Sequence, residues 1–287
     1  MRIGLNAGAA ISAAALAALI MWNDGPSDVD DAARQWMHQA TKLAARAFED
    51  ASLYLNTTTL LRRDRLASIE MVADYPEGHP LRKLAKAVGM LLIAMEKPDG
   101  SRRSYACTGA LIRDDVVITN QHCLRQDGGT TVEVMFWLDH TDHDDGTVLM
   151  LEPSPTEIDA TLDYALLKPH APSGAGLRST LGVLPVRDAV PGERLFIIHH
   201  SKGNPQQISR AFCRAAAERA FPDEINHTCP THRGSSGALV FAESDGALVG
   251  LHHSATTRAD TVRGYATALT AIFAKSQVLS SRRRHTE

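Results

Sequence analysis

The chain has 287 residues, of which 44% are hydrophobic and 22% charged, a composition typical of a globular protein that buries a large core. Its net charge is -3 at neutral pH, and its basic cluster, Arg282–Arg284, lies in residues 280–287, which we interpret as a solvated basic tail. This charge balance gives no long-range attraction to nucleic acid and therefore excludes nucleic acid as the expected partner.

An apolar segment opens the chain. Residues 3–22 carry no charge, and Asn6 and Ser12 are their only polar side chains. About 20 such residues can span a bilayer, while Ala15-Leu16-Ala17 offers the small residues of a cleavage site. We therefore expect residues 1–26 to be an export signal or a membrane anchor, with a buried soluble helix as the alternative. The acidic run that follows them favours export of the remainder to a periplasmic or extracellular location.

Residues 27–86 carry two helical patterns. Ser27-Asp28-Val29-Asp30 resembles a capping box, and apolar residues then recur at helical spacing as far as Ala51. A second, less regular helical pattern runs over Thr59–Val72, before the helix-breaking residues Pro76, Gly78 and Pro80. We interpret residues 27–86 as a helical stalk or pro-region. Its apolar stripe would be covered by the following domain, by another copy or by a partner.

The pattern changes at Ala87 to short β-branched or apolar runs separated by turn residues, without intervening helices. This arrangement is typical of an antiparallel barrel or sandwich. Near the end, Leu269–Leu279 returns to helical spacing. The strand-like runs are Val88–Met95, Cys107–Ile112, Val116–Thr119, Thr131–Leu138, Tyr164–Leu167, Leu195–His199, Ala238–Phe241 and Ala247–His252.

One glycine-flanked serine stands out as a candidate nucleophile. Gly234-Ser235-Ser236-Gly237 precedes the apolar run Ala238–Phe241, and its glycines allow a sharp turn close to a substrate. A serine hydroxyl is a weak nucleophile, so it needs a general base and backbone N–H donors for the developing oxyanion. The motif alone is also typical of an ordinary turn, and its significance depends on the rest of the chain.

Two further motifs supply that context. The pattern CTGALI…VVITNQHC, residues 107–123, resembles the strand pair that ends in the catalytic histidine of chymotrypsin-like serine peptidases, and TLDYALLKP, residues 161–169, resembles the strand with their catalytic aspartate. The order histidine, aspartate, serine also matches that family. The resemblance covers residues 88–279. It implies an all-β fold, a chymotrypsin-like double antiparallel β-barrel with a C-terminal helix, in a peptidase domain spanning residues 87–279.

The resemblance assigns roles to particular residues. Ser236 would attack the scissile carbonyl, His122 would take its proton and pass it to the leaving amine, and Asp163 would orient the imidazole. The N–H groups of Gly234 and Ser236 would form the oxyanion hole. No cofactor or metal is implied. The expected function is that of a serine endopeptidase acting on polypeptides, and the alternative is a catalytically silent double barrel that serves as a scaffold.

The four cysteines fit the same interpretation. By the resemblance, Cys107 pairs with Cys123 next to His122, and Cys213 and Cys229 have the same separation in sequence. Two disulfides of this kind suit an exported protein. A zinc site made from these thiols with His122 or His227 is the alternative. The run from Asp139 to Asp145 is either a solvated turn, which we favour, or a cation site.

The sequence departs from the pancreatic pattern next to the nucleophile. Ser235 stands where those enzymes have the aspartate that pairs with a newly cut N-terminus. The pattern is closer to bacterial glutamyl endopeptidases, although Leu239 replaces their usual proline, for which we expect a small backbone adjustment. Pro230 stands where a trypsin-like pocket has an aspartate for basic side chains, so cleavage after Lys or Arg is not expected.

The remaining specificity positions suggest an acidic substrate. Thr231 and His252 match positions that bind the substrate carboxylate in glutamyl endopeptidases, and a hydroxyl and an imidazole can both donate hydrogen bonds to an acid. We hypothesise a preference for Glu or Asp before the cut. Alternatively, His252 is a strand residue in a small polar pocket. By the same match, His253, Ser254 and Ala255 should offer a strand edge to the substrate backbone.

Overall fold

The computed structural model describes residues 69–126, 128–142, 145–170, 176–217, 221–258 and 261–280. The expected export segment 1–26, the helix expected up to Ala51 and residues 281–287 of the expected tail lie outside this part of the chain. Among the described residues, no helix combines the length and the apolar character that a membrane span requires.

The strands lie in two antiparallel sheets. Their bounds in chain order are β1 (Ile69–Met71), β2 (Val88–Glu96), β3 (Arg102–Arg113), β4 (Val116–Thr119), β5 (Thr130–Leu138), β6 (Thr147–Leu151), β7 (Glu157–Asp159), β8 (Tyr164–Leu167), β9 (Leu195–His199), β10 (Gln207–Ser209), β11 (Glu224–His227), β12 (Leu239–Ala242), β13 (Leu248–Arg258) and β14 (Thr261–Ala268). Short helices connect or follow them: α1 (Pro80–Ala85), α2 (Gln121–Leu124), α3 (Leu269–Lys275) and α4 (Gln277–Ser280), with 3-10 turns at Val72–Asp74 and Ser201–Gly203.

The first sheet has the order β6-β5-β2-β3-β4-β8-β7 and curls into a barrel. A bridge between Leu151 and Pro169 joins the end of β6 to the end of β8. Strand β2 is buried on both faces except at its last residue: Leu91 and Ile93 point into the main core, whereas Met90 packs in a separate outer cluster. This explains why β2 is an almost continuous apolar run rather than an alternating one.

The second sheet has the order β1-β10-β9-β12-β13-β14-β11. Bridges from Arg194 to Arg214 and from Ala215 to His227 link the start of β9 to β11 and close this sheet in turn. The two barrels, followed by α3 and α4, confirm the expected all-β double barrel with a C-terminal helix. The helical spacing predicted over Leu269–Leu279 is interrupted at Ser276, where α3 ends.

The prediction of helix over Thr59–Val72 is wrong at its end. Ile69–Met71 forms strand β1, which pairs antiparallel with β10 so that Ile69 lies opposite Ser209. The backbone groups at the edge of β10 favour an extended partner, and this tertiary pairing overrides a weak local helical pattern. Pro80 was expected among helix-breaking residues, yet it begins α1, because proline suits the first turn and His79 Nδ1 caps Leu81 N–H at 3.2 Å.

Candidate active site

His122 and Asp163 are brought together at one end of the first barrel. His122 lies in α2, directly after β4, and Asp163 lies directly before β8, which pairs with β4. The distance from His122 Nδ1 to Asp163 Oδ2 is 2.7 Å, and the backbone N–H of His122 donates to Asp163 Oδ1 at 2.9 Å. The aspartate therefore fixes both the ring and the backbone of the histidine, and this leaves Nε2 as the free ring nitrogen.

The backbone at Asp163 is held in an unusual conformation. Its φ is 47°, in the left-handed region that aspartate adopts more readily than most residues. The side-chain amide of Asn120 donates to the Asp163 carbonyl at 2.8 Å, and Thr267 Oγ1, from the second barrel, donates to the carbonyl of Leu162 at 2.9 Å. These two bonds anchor the turn that presents the carboxylate to His122.

The candidate nucleophile Ser236 lies on a tight turn before β12. Gly234 and Gly237 on either side have φ of 89° and 85°. A Cβ at Gly234 would collide with the His200 carbonyl oxygen, and one at Gly237 would collide with the Thr108 carbonyl oxygen. The predicted need for glycine at both positions thus has two causes, the left-handed backbone and the close approach of neighbouring strands.

Thr108 joins the serine turn to the first barrel. Its hydroxyl donates to the Gly234 carbonyl at 2.7 Å and accepts from the N–H of His200 at 2.9 Å. Its own N–H donates to the Ser236 carbonyl at 2.8 Å. Because the preceding Cys107 forms a disulfide with Cys123, next to His122, the same short segment holds both the serine turn and the histidine.

Ser236 and His122 do not share a hydrogen bond within the described part of the chain. The Ser236 hydroxyl instead donates to the His253 carbonyl at 3.4 Å. Burial lowers the pKa of the His253 imidazole, while the charge of Asp163 raises it and that of His122 lowers it, so this ring lies within electrostatic range of both. His253 thus contacts Ser236 through its carbonyl and senses the charges of Asp163 and His122 at its ring.

The backbone N–H groups of Gly234 and Ser236 donate to no acceptor among the described residues. The carbonyl of Arg233 accepts from the N–H of Lys202 at 2.7 Å, which fixes the orientation of the peptide that precedes Gly234. Two unused donors next to a serine hydroxyl are what an oxyanion hole requires.

The two residues expected to bind the substrate side chain are both buried. Thr231 is 8% exposed, and its hydroxyl has no hydrogen-bond partner in the described structure. His252 is 2% exposed, and its Nδ1 lies 3.1 Å from Nε2 of His227. The N–H of Cys229 donates to His227 Nδ1 at 3.2 Å. His227 must therefore carry its proton on Nε2 and donate it to His252, which leaves His252 with an N–H at Nε2.

His227 was not predicted to take part in a substrate site; the sequence suggested it only as an alternative zinc ligand. Burial lowers the pKa of His227 to about 3, and burial followed by the charge of His227 lowers the pKa of His252 well below its usual value. Both rings are therefore neutral at physiological pH. The signal in the sequence was the position of His227 close to Cys229, but its partner His252 is distant along the chain.

Strand β13 leaves an edge free beside the serine. It pairs with β12 only as far as Leu251, whereas its pairing with β14 continues to the end of the strand. A register shift at His253 marks the change, and Ser254 and Ala255 are exposed. An unpaired edge of this kind has the backbone groups with which an extended peptide can pair.

The cysteines form the two expected disulfides, Cys107–Cys123 and Cys213–Cys229, and none is free. The alternative zinc site made from these thiols is therefore wrong. In the described part of the acidic run after Leu138, the carboxylate of Asp145 accepts from the N–H groups of Thr141 and Asp142, each at 2.7 Å.

The part of the sequence that contains these site residues is similar to known proteins. The family described as "Trypsin-like peptidase domain" matches residues 107–251, about half of the chain, a range that contains His122, Asp163 and Ser236. The secreted RxLR effector protein 73 of Plasmopara viticola is 29% identical over 191 residues, which make up 60% of this chain and 45% of that protein. The chain thus spans less than half the length of this curated relative.

Proposed function

The chain belongs to the family of trypsin-like peptidase domains, and we propose that it is a serine endopeptidase that hydrolyses peptide bonds through an acyl-enzyme. The observation that carries this proposal is the histidine–aspartate pair at 2.7 Å beside a serine turn whose two N–H groups are unused. A silent scaffold would have no need to keep these donors free and the imidazole oriented.

The proposed reaction has two halves, formation of the acyl-enzyme and its hydrolysis. Ser236 Oγ attacks the scissile carbonyl while its proton passes to His122 Nε2, and the N–H groups of Gly234 and Ser236 bind the resulting oxyanion. Asp163 stabilises the imidazolium. The C–N bond then breaks as His122 gives the proton to the leaving amine. Water, deprotonated by His122, attacks the acyl-enzyme, and the serine is released with its proton restored.

An extended polypeptide fits the surroundings of the serine. The free edge of β13 can pair with the substrate backbone through residues 253–255, and the serine hydroxyl already lies at the His253 carbonyl. The two disulfides and the secreted relative support an exported enzyme. In the same proposal, the apolar residues 3–22 act either as a cleaved export signal or as a membrane anchor.

We further propose that the residue before the cut is acidic. Because Cys229 N–H donates a hydrogen bond to His227 Nδ1, His227 donates from Nε2 to His252 Nδ1 and leaves His252 with an N–H at Nε2, while Thr231 offers a hydroxyl without a partner in the described structure. Both are neutral donors. A carboxylate accepts such hydrogen bonds strongly, whereas a Lys or Arg side chain could only donate and would meet no carboxylate in Thr231 or His252.

The test of catalysis is labelling of the full chain with a fluorophosphonate probe, alongside Ser236→Ala and the control Ser101→Ala, which removes an exposed serine from the turn between β2 and β3. We expect labelling of the wild type and the control and none of Ser236→Ala. In peptide hydrolysis, loss of the nucleophile should lower kcat by about six orders of magnitude, as in an unrelated serine protease. Folded wild-type protein that is not labelled would favour the silent scaffold.

The test of specificity is a peptide series that varies only in the residue before the cut. We expect kcat/KM to be highest for Glu or Asp, and Thr231→Val should reduce this preference while hydrolysis after a neutral residue is kept. Equal rates after Glu and Gln in the wild type would contradict the acidic pocket and leave the peptidase assignment intact.

A further inference from the structure

A second chain of buried hydrogen bonds lies behind the nucleophile. Ser235, His199 and Ser209 are each 0% exposed. Ser235 Oγ lies 2.6 Å from His199 Nδ1, and His199 Nε2 lies 3.1 Å from Ser209 Oγ. Neither serine belongs to the expected triad, and in the sequence His199 is only the last residue of a predicted strand.

The donor and the acceptor of each hydrogen bond in this buried series can be assigned. The single hydroxyl proton of Ser209 goes to the Pro230 carbonyl at 2.6 Å, so Ser209 must accept from an N–H at His199 Nε2. A neutral His199 then has Nδ1 as an acceptor, which receives the hydroxyl proton of Ser235. Ser235 Oγ in turn accepts the N–H of His232 at 3.2 Å. All the donors and acceptors are satisfied without a charge.

These bonds attach the loop that carries the active-site N–H groups to the body of the second barrel. His199 ends β9 and Ser209 ends β10, while Pro230, His232 and Ser235 belong to the loop before β12. The loop is therefore held at both ends by one pair of strands. Ser235 lies between Gly234 and Ser236, so a change in its side-chain position moves both oxyanion donors.

We infer that His199 and Ser235 are positioning residues that hold the oxyanion loop in its reactive conformation through neutral hydrogen bonds, in the place where relatives use a charged pair. This inference rests on the proposed function, because it assumes that Ser236 is the nucleophile. It follows that a newly cut N-terminus is not needed to arrange the N–H groups of Gly234 and Ser236.

Burial lowers the pKa of His199 to about 3, so the ring keeps this neutral arrangement throughout the physiological pH range. A buried imidazolium at this position would also carry a proton on Nδ1, and that proton would face the Ser235 hydroxyl, whose own proton already points at Nδ1. The geometry and the burial thus favour the same protonation state.

The test compares the wild type with Ser235→Ala and Ser209→Ala, which each remove one hydroxyl oxygen from an end of the hydrogen-bonded series through His199. For Ser235→Ala we expect kcat to fall by about 10- to 100-fold with KM nearly unchanged, because a displaced oxyanion loop loses transition-state binding and keeps ground-state binding. A peptide aldehyde or boronic acid that mimics the tetrahedral state should lose affinity by a similar factor. Ser209→Ala should lower kcat less, since it leaves the Ser235–His199 bond in place.

Two variants at His199 sharpen the comparison and guard against misfolding of the serine variants. Asn places an acceptor where Nδ1 lies, and Gln places a donor where Nε2 lies, so His199→Asn should retain more of kcat than His199→Gln. A merely structural role would lower the free energy of unfolding equally in both without this order.

The outcomes separate this inference from the proposed function. An active wild type in which folded Ser235→Ala has unchanged kcat, or in which His199→Gln matches His199→Asn, would overturn the positioning role alone. A wild type that neither hydrolyses peptides nor reacts with the fluorophosphonate probe would overturn both. Ser235→Thr, which keeps the hydroxyl, should restore most of the activity lost in Ser235→Ala.

Discussion

The interiors of the two barrels differ in composition. The first is filled with large aliphatic and aromatic side chains, including Leu91, Ile93, Leu111, Ile118, Val134, Phe136 and Leu166. The second is lined largely by small residues, among them Ala215, Ala238, Ala242, Ala247, Ala266 and Ala268, and it buries polar side chains, among them His199, Ser209, His227, Ser235 and His252. Both are antiparallel sheets of similar extent.

This difference suggests a division of tasks. The large apolar core of the first barrel gives a rigid support from which His122 and Asp163 project at one end. The second barrel gives up apolar volume to hold two neutral chains of hydrogen bonds, one behind Ser235 and one ending at His252. Stability would then depend mainly on the first interior, and reaction geometry and specificity on the second.

The largest expected effect concerns chemistry carried by the first barrel. Asp163→Asn should lower kcat by about four orders of magnitude, because the amide no longer holds the proton on Nδ1 of His122. Steady-state kinetics at neutral pH would measure this. Asp99→Asn, which changes an exposed turn carboxylate bound to Ser101, is the matched control and should keep full activity. A loss of only a few fold in Asp163→Asn would contradict the assigned role.

Matched core truncations should separate the two barrels. Ile93→Ala and Ile197→Ala remove the same groups from fully buried positions in β2 and β9, and each should cost about 2 to 5 kcal/mol in urea-induced unfolding. Under native conditions only Ile197→Ala should also lower kcat, because it lies on the strand that carries His199. Equal kcat values in the two variants would contradict the proposal that reaction geometry depends mainly on the second barrel.

The two disulfides can be compared because removal of either should lower the free energy of unfolding by nearly the same amount. Both bridge a sequence separation of 16, so chain entropy predicts about 3 kcal/mol for removing either pair by alanine replacement. Loss of Cys107–Cys123 should chiefly lower kcat, since Cys123 adjoins His122. Loss of Cys213–Cys229 should chiefly change the preference between Glu and Gln substrates, since Cys229 N–H orients His227. The same kinetic defect in both variants would argue against separate functions.

The smallest expected effect is the change in the free energy of unfolding for each pH unit on acidification. His199 and His227 have pKa values of about 3 when folded because they are buried, against about 6.5 when unfolded. The unfolded chain therefore binds more protons between these limits, so this stability is complete above pH 6.5 and is lost as the pH falls toward 3. Each ring should contribute about 1.4 kcal/mol per pH unit to the slope.

Urea unfolding at several pH values would measure that slope. His227→Gln should reduce it by the share of one ring. An unaltered slope in His227→Gln would show that this ring is not held neutral in the folded protein.

Local patterns were sufficient to predict the double barrel and the cysteine pairs, whereas the triad of His122, Asp163 and Ser236 stays a prediction. Runs such as Val116–Thr119 are bounded by turn residues, and the histidine directly follows its strand, so a short stretch of sequence determines each feature. The neutral chains could not be predicted in this way. His199, Ser209 and Ser235 are single residues without a motif, and only the paired strands bring them within hydrogen-bond distance.

The beginning of the fold was misjudged for a related reason. Nothing within Ile69–Met71 distinguishes a strand from the end of an irregular helix, and the deciding partner, β10, lies far along the chain. Its register is set by the edge of another strand rather than by its own side chains.

Strand β1 also has a consequence for the order in which the protein forms. It precedes the first barrel in sequence but belongs to the second, so its pairing with β10 closes a loop of about 140 residues that contains the whole first barrel. On a chain made from its N-terminus, the first barrel can form while β1 still lacks its partner. Capture of this strand would then follow formation of the first barrel, and it leaves the connection to residues 1–68 at the outer edge of the second barrel.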